Sequence, residues 1–276
     1  MAQGDLTRIR TNIAALNALN SLKTINKRIG IHTLRLSTGK RINSAEDDPA
    51  GLTLATRLDV RARSLAQAMN NIGDAQNVLS IAEGGLNNIN ELLATMKEKV
   101  LQAANDTLGS QERSAILAQL NQVGEEIDDI VRETTFNNVT LLTNVTFTFQ
   151  TGPDGTDYTL FQITGNFNSL ALSINNLTVA TQTLASTSLG SITAALNSVG
   201  SMLQTVGAKM QRLSVKENTV VVGMTNVRAA ASRIMDADMA LEQLEATKLQ
   251  ILQQTATAML VQANTQPAGI LSLFQG

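Results

Sequence analysis

The 276-residue sequence contains no cysteine and no tryptophan, and it has only one tyrosine, six phenylalanines and one histidine. Without cysteine there is no disulfide, no thiolate metal site and no thiol catalysis. With so few aromatic rings, the core must be built from Ala, Leu, Ile and Val, in a chain also rich in Asn, Gln, Ser and Thr. That mixture suits long helices packed side by side better than a globular enzyme with a deep pocket. No run of roughly 18 apolar residues is present, so no transmembrane helix is expected. The first stretch, MAQGDLTRIRTNIAALNALN, is amphipathic and lacks the apolar middle of a secretory signal. Export, if it occurs, is expected by a specialised route.

Signatures of catalysis and ligand binding are also missing. There is no GxSxG, HExxH or dinucleotide fingerprint. The segment LSTGKRINSAEDDPAGLTLA contains Gly39-Lys40, but Arg41 follows, the first glycine of a phosphate loop is lacking, and a helix rather than a strand precedes it. Glu46, Asp47 and Asp48 are adjacent, so their side chains diverge, and the alternate spacing of a calcium loop is absent. Placed just before Pro49, they are expected to cap the next helix and complement its dipole. His32 has no patterned partner and reads as a structural residue. Asn105, Asn138, Asn144 and Asn176 each begin an N-x-Thr sequon, a frequency that chance explains in a chain this rich in Asn and Thr. No catalytic, cofactor-binding or metal-binding residue is therefore assigned, and the chain does not read as an enzyme.

The formal charge of −2 hides an asymmetry. Residues 1–41 carry eight Lys or Arg against Asp5, while residues 236–276 carry four acids against Lys248. A basic head can serve nucleic acid or anionic lipid. The plainer expectation is that it pairs with the chain's own acidic tail.

Periodicity is the strongest positive signal. Leu58, Leu65, Ile72, Leu79, Leu86, Leu93 and Val100 recur every seven residues, and Ala68, Ala75, Ala82, Ile89, Met96 and Ala103 complete an a/d seam. A shorter helix carries Ile116, Leu120, Val123, Ile127 and Ile130, with Ser110 as its expected cap. The seam returns at Leu189, Ile192, Leu196, Val199, Leu203, Val206, Met210 and Leu213, then runs on in phase from Val220 to Ile234. At ~1.5 Å per residue this second run predicts a rod of roughly 70 Å. Its phase fails at Asp238, which marks a boundary.

Beyond that boundary the expected neighbour is the N-terminal segment, whose stripe is Leu6, Ile9, Ile13, Leu16, Leu19, Leu22, Ile25 and Ile29. The tail offers Leu241, Leu244, Ile251, Leu252, Met259 and Leu260 before NTQPAG is expected to stop it. The centre differs in kind. Phe136, Phe147, Phe149, Tyr158, Phe161 and Phe167 cluster there, and VTFTFQ-TGPDGT-DYTLFQI reads as a β-hairpin. Residues 164–188 read as further short strands or exposed loop. The expected fold is mainly α: long antiparallel coiled-coil-like rods from both chain ends, with a small β cap at the end away from the termini.

These segments carry a family resemblance. LSTGKRINSAEDDPAGLTLATRL, AQNVLSIAEGGLNNINELLATMKEKVLQAAN, TTFNNVTLL and SRIMDADMALEQLEATKLQILQQTATAMLVQAN together resemble a bacterial flagellin over roughly residues 5–142 and 205–273. The resemblance implies a structural subunit of the flagellar filament for swimming motility. It implies inner filament-core helices at 1–40 and 238–276, a connector at 41–57, a helical rod domain at 58–142 and 189–237, and a small β/loop region at 143–188. The implied partners are many copies of the same chain, the flagellar export apparatus and its chaperone, and the hook-junction and cap proteins; no cofactor, nucleic acid or membrane is implied. The implied location is the extracellular filament.

Two departures stand out. The chain ends in SLFQG, where the family often ends in Leu-Leu and a basic residue. An arginine central to Toll-like receptor recognition of many flagellins is matched here by Thr95, with Lys97 and Lys99 expected on other sides of the helix, which implies weak recognition. A hook–filament junction protein shares similar terminal helices and is the nearest alternative. A peripheral coiled-coil membrane-binding protein is an alternative of another class.

Overall fold

A computed structural model of the protein describes residues 11–273, and side chains as far as Gln266. The described residues form two compact units, 11–60 with 227–273, and 61–226. Five helices dominate the described residues: α1 (Ile13–Thr38), α2 (Pro49–Ala103), α3 (Ser110–Glu133), α4 (Gln182–Met235) and α5 (Met239–Leu273). Four short strands lie between α3 and α4: β1 (Thr135–Phe136), β2 (Val139–Thr140), β3 (Val145–Gln150) and β4 (Tyr158–Ile163). The mainly α architecture with a small central β region matches the sequence expectation.

The second unit is built on the seam of α2. Both of its heptad columns are buried from Leu65 to Ala103, and Leu79, Ala82, Leu86, Ile89, Leu93 and Met96 have no exposed surface. The helix α4 runs antiparallel to it: Gln76 Nε2 donates to Glu217 Oε2 at 3.1 Å, while Leu65 lies at the level of Gly223. The helix α3 packs antiparallel on the other end of α2, where Gly85 sits beside Thr134 and Leu142. A Cβ at Gly85 would come within 2.7 Å of Thr134 Oγ1, so this close crossing requires glycine.

Three expectations are corrected here. On α4 only one predicted column, Ile192, Val199, Val206, Leu213 and Val220, is buried; Leu189, Leu196, Leu203 and Met210 are half-buried. Ala185, Ser188, Ala195 and Met202 take the inner places instead. The rotation follows from a second neighbour, the central segment, which α4 holds through Ser188 Oγ to the Thr178 carbonyl at 2.9 Å and Lys209 Nζ to the Leu160 carbonyl at 3.2 Å. A helix packed on two sides buries a wider stripe than a coiled-coil seam.

The cap of α3 is also not Ser110. Gly109 occupies the cap position without a side-chain bond, and Ser110 is the first helical residue.

The third correction concerns the β region. The predicted hairpin forms, with β3 and β4 antiparallel and Phe147 opposite Phe161. It does not cap an end of the second unit. It lies along the flank of α2 and α4, where Asn71 Nδ2 donates to the Gln150 carbonyl at 3.0 Å and Lys209 holds Leu160. Phe161 and Ile163 point inward, whereas Tyr158 and Leu160 face outward. A smaller hairpin, β1 with β2, turns at Asn137 and Asn138, whose φ values of 47° and 63° are those of a tight primed turn. Residues 164–181 contain no strand, yet Leu172, Ile174, Leu177 and Val179 are buried.

Candidate assembly surface

The first unit pairs the first and last described helices. The helix α1 starts at Asn12, whose Oδ1 accepts from the Ala15 N–H at 3.0 Å, and ends at Gly39 with φ 68°. The helix α5 lies antiparallel to it. Asn12 meets Ala263, Asn26 meets Gln253, and His32 meets Glu242. The meeting of the termini was legible in the sequence; the faces through which they meet were not.

On α1 the side facing α5 is Asn12, Ala15, Ala18, Leu22, Ile25, Ile29 and His32, and none of these is fully buried. Ile13, Leu16 and Leu19, expected in the stripe, are exposed; Leu6 and Ile9 lie outside the described residues. On α5 the inner positions are Glu242, Ala246, Leu249, Gln253, Ala256, Leu260 and Ala263, an unbroken 4,3 heptad. Of the tail residues expected there, Leu260 alone faces inward. Leu241, Leu244, Ile251, Met259 and the neighbouring Val261 are 58–63% exposed, and Leu252 is also on the outside.

NTQPAG does not stop α5, which continues to Leu273. Pro267 lacks the N–H that would bond the Ala263 carbonyl four residues back. That carbonyl accepts instead from Asn12 Nδ2, at 2.6 Å.

One charged cluster is enclosed between the helices. Glu242 is 7% exposed; its Oε2 is 2.5 Å from His32 Nδ1 and its Oε1 accepts from Arg35 Nη1 at 3.3 Å. His32 thus has a partner that no local pattern announced, because the partner lies 210 residues away.

The connector is held by backbone rather than by a ligand. Lys40 bridges Asp236 in antiparallel fashion, the Arg41 N–H donates to the Met235 carbonyl at 2.6 Å, and the Ala237 N–H donates to the Gly39 carbonyl at 2.9 Å. Arg41 Nε and Nη2 both donate to the Ile234 carbonyl, at 3.2 and 2.9 Å. Of the three acids, Asp48 caps α2 as expected, accepting from the Gly51 N–H at 2.9 Å. A Cβ on Gly51 would fall 2.8 Å from Ile42 Cδ1, so Ile42 is buried against bare backbone. Asp47 gathers the loop, with Oδ2 accepting from the N–H groups of Asn43 and Ser44 at 3.0 Å each. Those bonds, Asn43 first, hold its carboxyl below the ordinary aspartate value. Glu46 is exposed. Because α2 begins at Pro49, the second half of the expected 41–57 connector is helical.

Thr95 is exposed on α2, its Oγ1 donating to the Glu91 carbonyl at 3.1 Å. Lys99 does not point elsewhere: it lines the same shallow groove as Thr95, opposite Ala118, Gln122 and Val123 of α3. Asn105, Asn138, Asn144 and Asn176 are all exposed on loops or turns. Among the described residues no cluster of His, Asp and Glu is arranged to hold a metal, and no helix is long and apolar enough to cross a membrane.

Comparisons with known proteins find relatives over nearly the whole chain. The family described as the bacterial flagellin N-terminal helical region matches residues 9–146, and the bacterial flagellin C-terminal helical region matches residues 189–274. The flagellin of Halalkalibacterium halodurans is 32% identical over 97% of this chain and 99% of its own length. That of Bacillus subtilis is 33% identical over 97% of this chain and 100% of its own. Among solved structures, a putative flagellar hook-associated protein from Vibrio parahaemolyticus has a TM-score of 0.56 at 17% identity, covering 69% of this chain and 100% of that one, a likeness of fold alone.

Proposed function

Since the chain belongs to the bacterial flagellin family and is a structural subunit of the flagellar filament, we propose that it polymerises through the outer faces of α1 and α5. The observation that carries this is the exposure of Leu241, Leu244, Ile251, Met259 and Val261 on one helix, with Ile13, Leu16 and Leu19 on the other. Large exposed apolar surface on a soluble monomer marks an interaction site. Burial between copies stabilises at ~25 cal/mol per Å² and offsets the entropy of ordering two helices that bury little against each other.

On this reading residues 1–40 and 238–276 form the inner filament core, 41–57 connect, and 58–142 with 189–237 surround it. Residues 143–188 form a small outer face, so the filament is thin and smooth. The subunit is exported unfolded through the flagellum's own secretion apparatus with a chaperone, and meets hook-junction and cap proteins on the way to an extracellular filament. Host Toll-like receptor recognition is weak, because Thr95 stands where a long cation is expected. The hook–filament junction reading shares the fold of a hook-associated protein, but 32–33% identity to flagellins over nearly the full length favours the filament. The test is salt-induced or seed-induced assembly of purified monomer, followed by electron microscopy. Monomer that never forms filaments, with seeds of its own kind present, would sink the proposal.

A further inference from the structure

The pairing of α1 and α5 presents a puzzle. The face that α5 turns toward α1, formed by Ala246, Leu249, Gln253, Ala256 and Leu260, has only Leu249 and Leu260 as large apolar groups. The face left outside carries Leu241, Leu244, Ile251, Leu252 and Met259. If apolar burial within one chain decided the matter, α5 would turn by roughly 100°, one residue's rotation, and put the richer face inward.

We propose that Glu242 is the residue that prevents this turn, so that it determines which face of α5 remains available to neighbouring copies. The inference deepens the assembly reading and rests on it for its consequence. Glu242 lies one turn into α5 on the poorer face, enclosed, with one oxygen toward His32 Nδ1 and the other accepting from Arg35 Nη1. Turning α5 would tear the carboxylate from both partners and leave His32 and Arg35 against leucine. Enclosed charges left without partners are penalised heavily. Single polar residues in otherwise apolar helix pairs are known to fix the pairing at a cost in stability.

Other ties do not do the same work. The backbone bridge between Lys40 and Asp236 fixes where α5 begins, but it precedes the helix and leaves rotation about its axis open. The bond from Gln253 to Asn26 joins two neutral and more accessible amides. Glu242 therefore acts as a positioning residue for assembly: it makes the better buried arrangement of the single chain unavailable, which is specificity by exclusion of an alternative.

The absence of native cysteine allows a clean test in the full chain. Ile29 lies on the inner face between Asn26 and His32, level with Leu249, so I29C with L249C reports the observed facing. I25C with L252C reports the turned one. With Glu242 intact, oxidation should crosslink the first pair at least tenfold more than the second. Glu242→Leu should reverse that ratio and reduce filament yield at least tenfold. Glu242→Gln, which keeps length and hydrogen bonding, should retain the parent ratio. A parent ratio in Glu242→Leu, or equal crosslinking of both pairs in the parent, would overturn the inference, whatever the filament yield. If the parent forms no filaments at all, the assembly reading fails, and the crosslink ratio still decides the role of Glu242.

Discussion

Asn12 binds Ala263 by its side-chain amide: Nδ2 donates to the Ala263 carbonyl at 2.6 Å while Oδ1 caps α1 through the Ala15 N–H. The carbonyl is available because Pro267 cannot serve it. Asn12 thus starts one helix and repairs the other. Asn12→Asp should keep the cap, lose the donor and cost about 1 kcal/mol, and Asn12→Ala should lose about 1 kcal/mol more. Amide exchange in the first turn of α1, measured in assembled filaments, should speed up in that order. Equal rates in both variants would show that the Ala263 bond contributes nothing.

Core packing gives a graded prediction. Leu79 is wholly enclosed on α2, and Leu79→Ala should destabilise the monomer by ~2–5 kcal/mol. Leu203 is only half-buried, so Leu203→Ala should cost less, about 1 kcal/mol, and Glu83→Ala under ~0.5 kcal/mol. Thermal unfolding checks the ranking. A Leu203 effect as large as that of Leu79 would contradict the rotated α4 seam.

Removal of residues 238–276 deletes α5 and with it Leu241, Leu244, Ile251, Met259 and Val261, the larger part of the proposed assembly surface. The unit formed by residues 61–226 has its own core, so the truncated chain should keep strong helical circular dichroism while forming no filaments. Filaments of ordinary yield and diameter from this truncation would remove α5 from the assembly surface.

The connector should respond to acid in a defined direction. The folded value of Asp47 is depressed, so its contribution is present above the unfolded value and is lost as pH falls through the lower folded one. Protection of the Asn43 and Ser44 amides should therefore persist where an unfolded aspartate has already begun to protonate, and disappear only at still lower pH. In Asp47→Ala it should be absent throughout. Loss of protection in the parent near pH 6 would show that another group holds the loop.

Receptor recognition should be weak and partly restored by Thr95→Arg. An arginine adds charge-assisted bonds, and truncating an interfacial arginine commonly costs more than ~2 kcal/mol. Lys99 shares the groove and supplies one cation, so Thr95→Arg with Lys99→Ala should signal less than Thr95→Arg alone. A reporter-cell assay on monomer reads both. Strong signalling by the unmodified chain would refute the argument from Thr95.

The sequence made the helical fold plain wherever burial is completed within one chain. The two columns of α2 are read directly from Leu65 to Ala103 because the partners of those residues belong to the same unit. The same rule misled on α5, where Leu241, Leu244 and Ile251 looked like an inner face. Periodicity records that a residue is to be buried, not by which molecule, so the face proposed to meet other copies imitates a core. Long-range polar ties were illegible for a different reason. The partner of His32 sits 210 residues away, and Pro267, which by itself argues for a helix end, is tolerated because Asn12 reaches its stranded carbonyl from 251 positions earlier. Lys99 needed only attention to helix geometry, since residues four apart share a face.

The joining of the first described helix to the last has a consequence for quality control. A polypeptide broken off anywhere before Met239 lacks the helix that α1 folds against, however well its middle is formed. Antiparallel pairing of α2 and α4 brings Leu65 close to Gly223 and so shortens the loop that the two end helices must close. Closure of the end helices is therefore less costly once the middle has formed. If assembly uses the α1–α5 pair, competence to join a growing polymer becomes a report that the span from Asn12 to Ala263 is present and folded. The subunit proofreads its own length.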